Sequence, residues 1–275
     1  MSGAGPLAAG PGELFDLRGE VALVTGAAGL LGEVWAEALA GAGADLVLTD
    51  LDGAAAARRA AAIAAAAGVR AIGLAQDVTR PEDWRRIFAE TGAGLGLPSV
   101  LVNNAGYTNR TPSANYGAAF EDFPLAEWRE ILEVNLTGTL LGCQTVGPAM
   151  VARGRGAIVN IASLYGLVSP QHPIYEGTGQ RQPAAYSVSK AGVLALTRYL
   201  ATLWAPRGVR VNAITPGGVR AGQDERFLER FGERCPAGRM AEPGELRGAI
   251  VYLASPAASY VTGHNLVVDG GWTVW

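Results

Sequence analysis

Glu20-Val21-Ala22-Leu23-Val24-Thr25-Gly26-Ala27-Ala28-Gly29-Leu30-Leu31-Gly32 runs from a short, largely apolar segment straight into a glycine-rich turn. A run of this kind suits a strand of a parallel sheet, buried on both faces. A helical pattern continues from the turn to about Ala42, where Gly43 offers a stop. Asp45-Leu46-Val47-Leu48-Thr49-Asp50 is then a second strand, ending in an acid. Strand, glycine turn, helix, strand and acid make a βαβ unit whose helix N-terminus presents backbone N–H groups and the positive end of a dipole to negative charge. Glycine lets the backbone approach a pyrophosphate closely. The stretch therefore predicts a dinucleotide site at Gly26, Gly29, Leu31 and Gly32. Asp50 chooses within that class: a carboxylate there can accept from the adenosine ribose hydroxyls and would repel a 2′-phosphate. Its neighbours Leu51, Asp52 and Gly53 bring no cation, so NAD(H) is expected in preference to NADP(H).

The alternation continues outward from this unit. Further strands are expected at Val69–Ala75, Ser99–Val102, Ala157–Ala162, Val209–Ile214 and Asn265–Val268. Helical stretches separate them: the Ala-rich Gly53–Gly68, then Pro81–Glu90, Trp128–Asn135, Leu136–Ala152, Ala184–Ala205 and Glu242–Ala254. Alanine is the strongest helix former, and Asp52 and Gly68 supply a start and a stop for the first of these. Strands separated by helices throughout predict an α/β fold, a doubly wound parallel sheet of the Rossmann type with helices on both faces. No Pro/Gly/Ser-rich linker divides the chain, so residues 18–275 are expected to form a single domain. Residues 1–17, rich in Gly, Pro and Ala, are expected to be a flexible leader, since they lack the basic and long apolar regions of a signal peptide.

Composition narrows the function. Of 275 residues, 49% are hydrophobic and 17% charged, with a formal net charge of −3, so there is no basic footprint for nucleic acid. No uninterrupted apolar run is long enough for a membrane span. Cys143 and Cys235 stand far apart, and His172 and His264 stand alone. A disulfide scaffold and a metal site are therefore not expected, and a reduced, cytoplasmic setting is.

Ala185-Tyr186-Ser187-Val188-Ser189-Lys190 carries the chemistry. On a helix, positions four apart share a face. A cation ~4 Å from the phenol, at an effective dielectric of ~20, favours phenolate by roughly 4 kcal/mol, about three pKa units. Such a pair would make a proton-transfer group that works near neutral pH.

Taken in order, Thr25-Gly26…Gly32, Asp77-Val78, Asn103-Asn104-Ala105-Gly106, Asn135, Ser163, Tyr186…Lys190 and Pro216-Gly217 resemble the landmarks of the short-chain dehydrogenase/reductase family over residues 20–270. The resemblance implies roles. Tyr186 would be the general acid/base, and Lys190 would lower its pKa and hold the nicotinamide ribose. Ser163 would hydrogen-bond the substrate oxygen, and Asn135 would hold a water that passes protons from Lys190 to solvent. Asp77 and Val78 would contact adenine, Asn104, Ala105 and Gly106 the adenosine ribose side, and Pro216, Gly217 and Val219 the nicotinamide end. The family also implies a homotetramer or homodimer through the helices at Leu136–Ala152 and Ala184–Ala205.

Two features depart from the family pattern. Its glycine turn reads T-G-x-x-x-G-x-G, but position 30 here is Leu30, with glycine one place earlier. The interval from Ser163 to Tyr186 is also about ten residues longer than usual, the extra residues falling within Ser169–Pro183. Tyr175 lies close to the usual spacing, yet Gly179 stands where its lysine should be, which leaves Tyr186 as the candidate. A polar insertion beside the site suits a substrate with many hydroxyls, so Ser163, Tyr165, Gln171, Tyr175 and Arg181 are candidate substrate residues. The tail Val268–Trp275 resembles sugar-handling members such as gluconate 5-dehydrogenases. The segment Arg220–Arg239 is expected to cover the substrate. These readings imply an NAD(H)-dependent oxidoreductase acting on a secondary alcohol or ketone of a polar sugar, polyol or sugar acid. The alternatives are a reductase of 3-oxoacyl thioesters on acyl carrier protein and, outside catalysis, a nucleotide-sensing protein on the same fold. An apolar channel in the Arg220–Arg239 lobe without polar contacts from the insertion would favour the acyl reductase.

Overall fold

The computed structural model describes residues 10–111, 113–178 and 181–275. Seven parallel strands form one sheet in the order β3-β2-β1-β4-β5-β6-β7: β1 (Val21–Thr25), β2 (Asp45–Asp50), β3 (Ala71–Ala75), β4 (Val100–Asn103), β5 (Gly156–Ile161), β6 (Val209–Pro216) and β7 (Asn265–Val268). The order reverses at β1, which pairs with β2 on one side and β4 on the other. A crevice opens at such a switch point, beyond the carboxyl ends of the strands.

Alternate residues of each strand feed two cores. On one face, Ala22, Val24, Leu46, Leu48 and Val102 pack against α2 (Leu30–Gly41), α3 (Gly53–Ala67) and α9 (Arg247–Ala254) through Trp35, Leu39, Ile63 and Leu253. On the other, Leu23, Val47, Leu101, Ile158 and Val211 pack against α4 (Pro81–Gly94), α6 (Gly138–Arg153) and α7 (Ala184–Trp204) through Trp84, Ile87, Met150 and Leu200. The expected doubly wound sheet, its single domain and all seven strands are therefore present. Asp52 caps α3, accepting from the Ala55 N–H at 2.9 Å, and Gly68 ends it in the left-handed conformation.

The expected leader is tied down at its C-terminal end. Residues 1–9 lie outside the described residues. Pro11–Leu14 form a short helix, α1. Leu17 is 1% exposed, and its N–H donates to the Ala42 carbonyl at 2.8 Å. A leucine in the core cannot belong to a free leader, so the folded unit reaches back at least to Leu17. The expected single helix at Trp128–Asn135 is also more complex. It comprises α5 (Leu125–Leu132) followed by one π-helical turn at Glu133–Thr137, which runs into α6. In a further apolar group, α8 (Glu225–Arg234) contributes Phe227 and Phe231, which pack with Leu164, Met240 and Trp272. Among the described residues, no helix is long and apolar enough to cross a membrane.

Candidate active site

A cleft of about 700 Å³ opens over the carboxyl ends of β1, β2, β4, β5 and β6. Its nucleotide half is built on the glycine turn. Gly26 adopts φ +63°, and a Cβ there would stand 2.8 Å from the Ala105 Cα, so only glycine allows β1 and the loop after β4 to come this close. Asn104 fixes that approach: its Nδ2 donates to the carbonyls of Thr25 (2.9 Å) and Gly26 (3.1 Å), while its Oδ1 accepts from Trp35 Nε1 at 2.8 Å. The side chain of Asn104 is thus committed to holding the turn. Leu30, Leu31 and Gly32 line the cleft in the first turn of α2, whose N-cap residue, Gly29, provides no side-chain cap. Uncapped first-turn amides at a helix N-terminus are what an anionic phosphate group requires. Leu30, where the family pattern has glycine, is the first residue of α2 and lines the cleft.

Asp50 ends β2 at the cleft wall. Its Oδ2 accepts from the Ala28 N–H at 2.9 Å and its Oδ1 from the Asp52 N–H at 3.2 Å. No arginine or lysine among the described residues forms an ion pair with it. Pro216, Gly217 and Val219 line the far side, after β6. Asp77 and Val78 are not brought to the cleft wall: the Asp77 carboxylate accepts from the Thr79 N–H and hydroxyl at 2.9 and 2.7 Å, and Val78 is buried.

The chemical half lies deeper. Ser163 follows β5 and lines the cleft together with Tyr186, its Oγ accepting from the Tyr165 N–H at 3.3 Å. Burial pushes the Tyr186 phenol above its ordinary value, and the neighbouring Ser163 hydroxyl pulls it down. Lys190 is 5% exposed, its Nζ 5.8 Å from the Tyr186 ring centroid and donating to the Ile161 carbonyl at 2.7 Å. Desolvation lowers its pKa to about 8. The ammonium therefore stands farther from the phenol than the ~4 Å assumed for the pair, because it is turned to the carbonyl at the end of β5. Asn135 sits in the π turn, 1% exposed. Its Oδ1 accepts from the Tyr107 N–H at 2.6 Å, and its Nδ2 donates to Ser189 Oγ at 3.0 Å and the Tyr107 carbonyl at 3.3 Å. Its backbone carbonyl accepts from the Thr139 hydroxyl at 2.9 Å.

Beyond Ser163 and Tyr186 the cleft is lined by further phenols. The Tyr165 and Tyr175 hydroxyls are 2.6 Å apart, and Gln182 Nε2 donates to Tyr116 Oη at 3.0 Å. Burial pushes Tyr165 up to about 12 and raises Tyr116 and Tyr175 further, so all three remain neutral hydroxyl groups. Of the expected insertion residues, Tyr175 reaches the cleft and two do not. Gln171 is exposed and accepts from Arg234 Nη1 at 3.3 Å, and Arg181 is exposed on a separate groove. Gln180 lies outside the described residues, as does Gly179. Tyr116, Gln182 and Arg110 line the cleft unforeseen: they sit in irregular loops, where neither periodicity nor a short motif marks them. The covering segment is present, with Phe227, Phe231 and Met240 forming an apolar wall and Phe231 stacked on Trp272 at 4.3 Å. No cluster of three His, Cys, Asp or Glu side chains able to hold a metal occurs among the described residues. Cys143 is buried in the core with its thiol pushed up to about 12.

The family model described as enoyl-(acyl carrier protein) reductase matches residues 26–273. A galactitol 2-dehydrogenase (L-tagatose-forming) of Cereibacter sphaeroides is 41% identical over 270 residues, covering 95% of this chain and 98% of that protein. The chain belongs to the short-chain dehydrogenase/reductase family. A 3-oxoacyl-(acyl-carrier-protein) reductase of Aquifex aeolicus is 35% identical over 261 residues, covering 94% of this chain and 98% of that one. Among solved structures, a gluconate 5-dehydrogenase from Burkholderia cenocepacia in complex with NADP and tartrate superposes with a TM-score of 0.85 at 32% identity, covering 96% of this chain and 99% of that one. As a short-chain dehydrogenase/reductase, this protein is an NAD(P)-dependent oxidoreductase acting on CH–OH groups. The residues present fit that coenzyme: a turn that only Gly26 permits, an uncapped helix N-terminus and a wall carboxylate face one continuous cleft.

Proposed function

We propose that this short-chain dehydrogenase/reductase interconverts a secondary alcohol and a ketone on a hydroxyl-rich sugar, polyol or sugar acid, using NAD(H) in preference to NADP(H). The observation that carries the reading is the set of neutral hydroxyls around Tyr186: Ser163, the Tyr165–Tyr175 pair and the Tyr116–Gln182 pair all line the same cleft. A site built to hydrogen-bond hydroxyl groups rejects analogues that lack them, since its buried polar groups are then left unpaired.

The bound nicotinamide supplies the hydride acceptor or donor. Tyr186 takes the proton of the substrate hydroxyl during oxidation and returns it during reduction. Ser163 holds the same oxygen and stabilises the charge that develops on it. Lys190 holds the nicotinamide ribose and, when charged, favours the phenolate of Tyr186. Asn135 holds the proton path from Lys190 toward solvent. Gly26, Gly29, Leu31 and Gly32 hold the pyrophosphate, and Asp50 the adenosine ribose. Asp50 supports the preference for NAD(H) because both its oxygens keep lone pairs for ribose hydroxyls and no neighbouring cation would neutralise a 2′-phosphate. The working form is a cytoplasmic homotetramer or homodimer, paired through α6 and α7; Val188, Tyr199 and Leu203 of α7 are exposed apolar side chains on one of those helices.

One observation favours a second reading, a reductase of 3-oxoacyl thioesters: the apolar wall of Phe227, Phe231 and Met240. Tyr175, whose ring packs on Phe227 at 5.3 Å, and Gln182, both from the Ser169–Pro183 insertion, bring polar groups into the same cleft and favour the polyol reading. A panel of sugars, polyols and aldonates watched for NADH formation, with acetoacetyl thioester reduction measured alongside, decides between them. Turnover of the thioester alone overturns the polyol reading.

A further inference from the structure

Glu127 is a buried carboxylate that takes no part in the chemistry above. It lies in the first turn of α5, is 7% exposed, and forms no ion pair with any described lysine or arginine. A carboxylate out of water needs donors. It has two hydroxyls on the same oxygen: Tyr107 Oη and Ser113 Oγ each donate to Glu127 Oε1 at 2.6 Å. That length is typical of charge-assisted O–H···O⁻ bonds. The N-terminal end of α5 adds a favourable dipole.

What Glu127 holds leads to the active centre. Tyr107 grips the Asn135 carboxamide from both sides of its own peptide unit, its N–H donating to Oδ1 at 2.6 Å and its carbonyl accepting from Nδ2 at 3.3 Å. Asn135 Nδ2 also donates to Ser189 Oγ, which donates to the backbone carbonyl of Tyr186 at 2.7 Å. The Tyr107 ring stacks on Tyr116 with centroids 6.1 Å apart and planes 10° apart, and Tyr116 carries the hydroxyl that Gln182 contacts in the cleft. One buried acid is thus joined to Asn135 on one side and to the substrate wall on the other, through a single tyrosine.

We infer that Glu127 is a positioning residue for the alcohol half of the site: through Tyr107 it fixes the Asn135 amide and the Tyr116 wall relative to Tyr186. The inference rests on the catalytic reading of Tyr186. The coenzyme half hangs on different bonds, from Asn104, Thr25 and Asp50, so it is not expected to feel the change.

The test compares Glu127→Ala, Glu127→Gln and Tyr107→Phe in the full chain, with an alcohol that the parent enzyme oxidises. Glu127→Ala and Tyr107→Phe are each expected to lower kcat/KM for the alcohol ~10- to 100-fold, the range for misplacing reacting groups by a fraction of an ångström. NADH affinity by fluorescence titration is expected to stay within about twofold, since its contacts are untouched. Glu127→Gln keeps an oxygen that accepts both hydroxyls and is expected to recover most of the loss. The double variant Glu127→Ala/Tyr107→Phe is expected to be no worse than the poorer single one, as for two members of one connection. Additive losses, a parallel loss of NADH affinity, or an alanine variant as active as the parent would each overturn the inference. If Tyr186→Phe retains turnover, the catalytic reading fails instead, whatever the Glu127 variants do.

Discussion

The Lys190 ammonium donates to the backbone carbonyl of Ile161, at 2.7 Å, from a side chain that is 5% exposed. A charge held there is costly, which is why desolvation brings its pKa down to about 8 from 10.5. The strand end tethers the ammonium beside the Tyr186 ring and keeps it ready for a partner with hydroxyl groups.

That cost predicts a stability gain from removing the charge. A depressed lysine pKa means that folding penalises the protonated form, so the penalty is fully present below pH 8 and is relieved as pH rises from about 8 toward 10.5. The gap of two to three units corresponds to ~3 kcal/mol, and the orphaned Ile161 carbonyl returns ~1 kcal/mol of it. Lys190→Met is therefore expected to be inactive yet ~1–2 kcal/mol more stable than the parent in urea unfolding at pH 7. The advantage should vanish by about pH 10. A variant less stable at pH 7 contradicts the argument.

Ser163 is the group that lowers the Tyr186 phenol against the upward push of burial. Alcohol oxidation needs that phenol deprotonated, so its rate rises with pH through the phenol's pKa. Ser163→Ala is expected to move the rising limb of kcat/KM to higher pH and to lower neutral-pH turnover by ~10²-fold or more. Tyr186→Phe should abolish turnover while leaving NADH binding intact. A Ser163→Ala profile that keeps the parent's midpoint would separate Ser163 from the tuning of Tyr186.

Asp50 should govern coenzyme choice. The parent is expected to use NAD at least ~10-fold better than NADP in kcat/KM, and Asp50→Ser should narrow that ratio by raising NADP efficiency. Because Asp50 also anchors the Ala28 amide, NAD efficiency should fall as well. A parent enzyme that prefers NADP sinks the charge argument at this position.

Local pattern carried the fold because every strand is short, apolar and punctuated. Val21–Thr25 and Asp45–Asp50 are buried or nearly so along their whole length, as the unbroken apolar runs require. The glycine turn, Asp50, Tyr186 and Lys190 stand out locally, at a strand end or on a helix, and line one cleft with Ser163, which only the family resemblance singles out. What was not legible depends on contacts between segments far apart in the chain. Nothing local says that Lys190 points to Ile161, that Asn135 lies in a π turn gripped by Tyr107, or that Tyr116 and Gln182, 66 residues apart, share a hydrogen bond. Gln171 and Arg181 stand out in the insertion only by polarity, and polarity alone cannot tell a residue facing a cleft from one facing solvent.

The glycine turn provides a paired test of which of its positions are constrained. A Cβ on Gly32 would meet the Gly26 carbonyl oxygen at 2.2 Å and the Ala27 Cα at 2.6 Å, both backbone atoms that cannot move without opening the turn. Gly32→Ala is therefore expected to cost at least ~3 kcal/mol, the upper end for overpacking, and to abolish NADH binding. Leu30 occupies the first position of α2, half-buried at the cleft wall, where the family has glycine. Leu30→Gly restores the family residue but adds backbone freedom at a helix start, so it should cost ~1 kcal/mol and leave NADH affinity within about threefold. Thermal unfolding and NADH fluorescence titration of the two variants check both halves. A tenfold tightening of NADH by Leu30→Gly would mean that the leucine obstructs the phosphate turn.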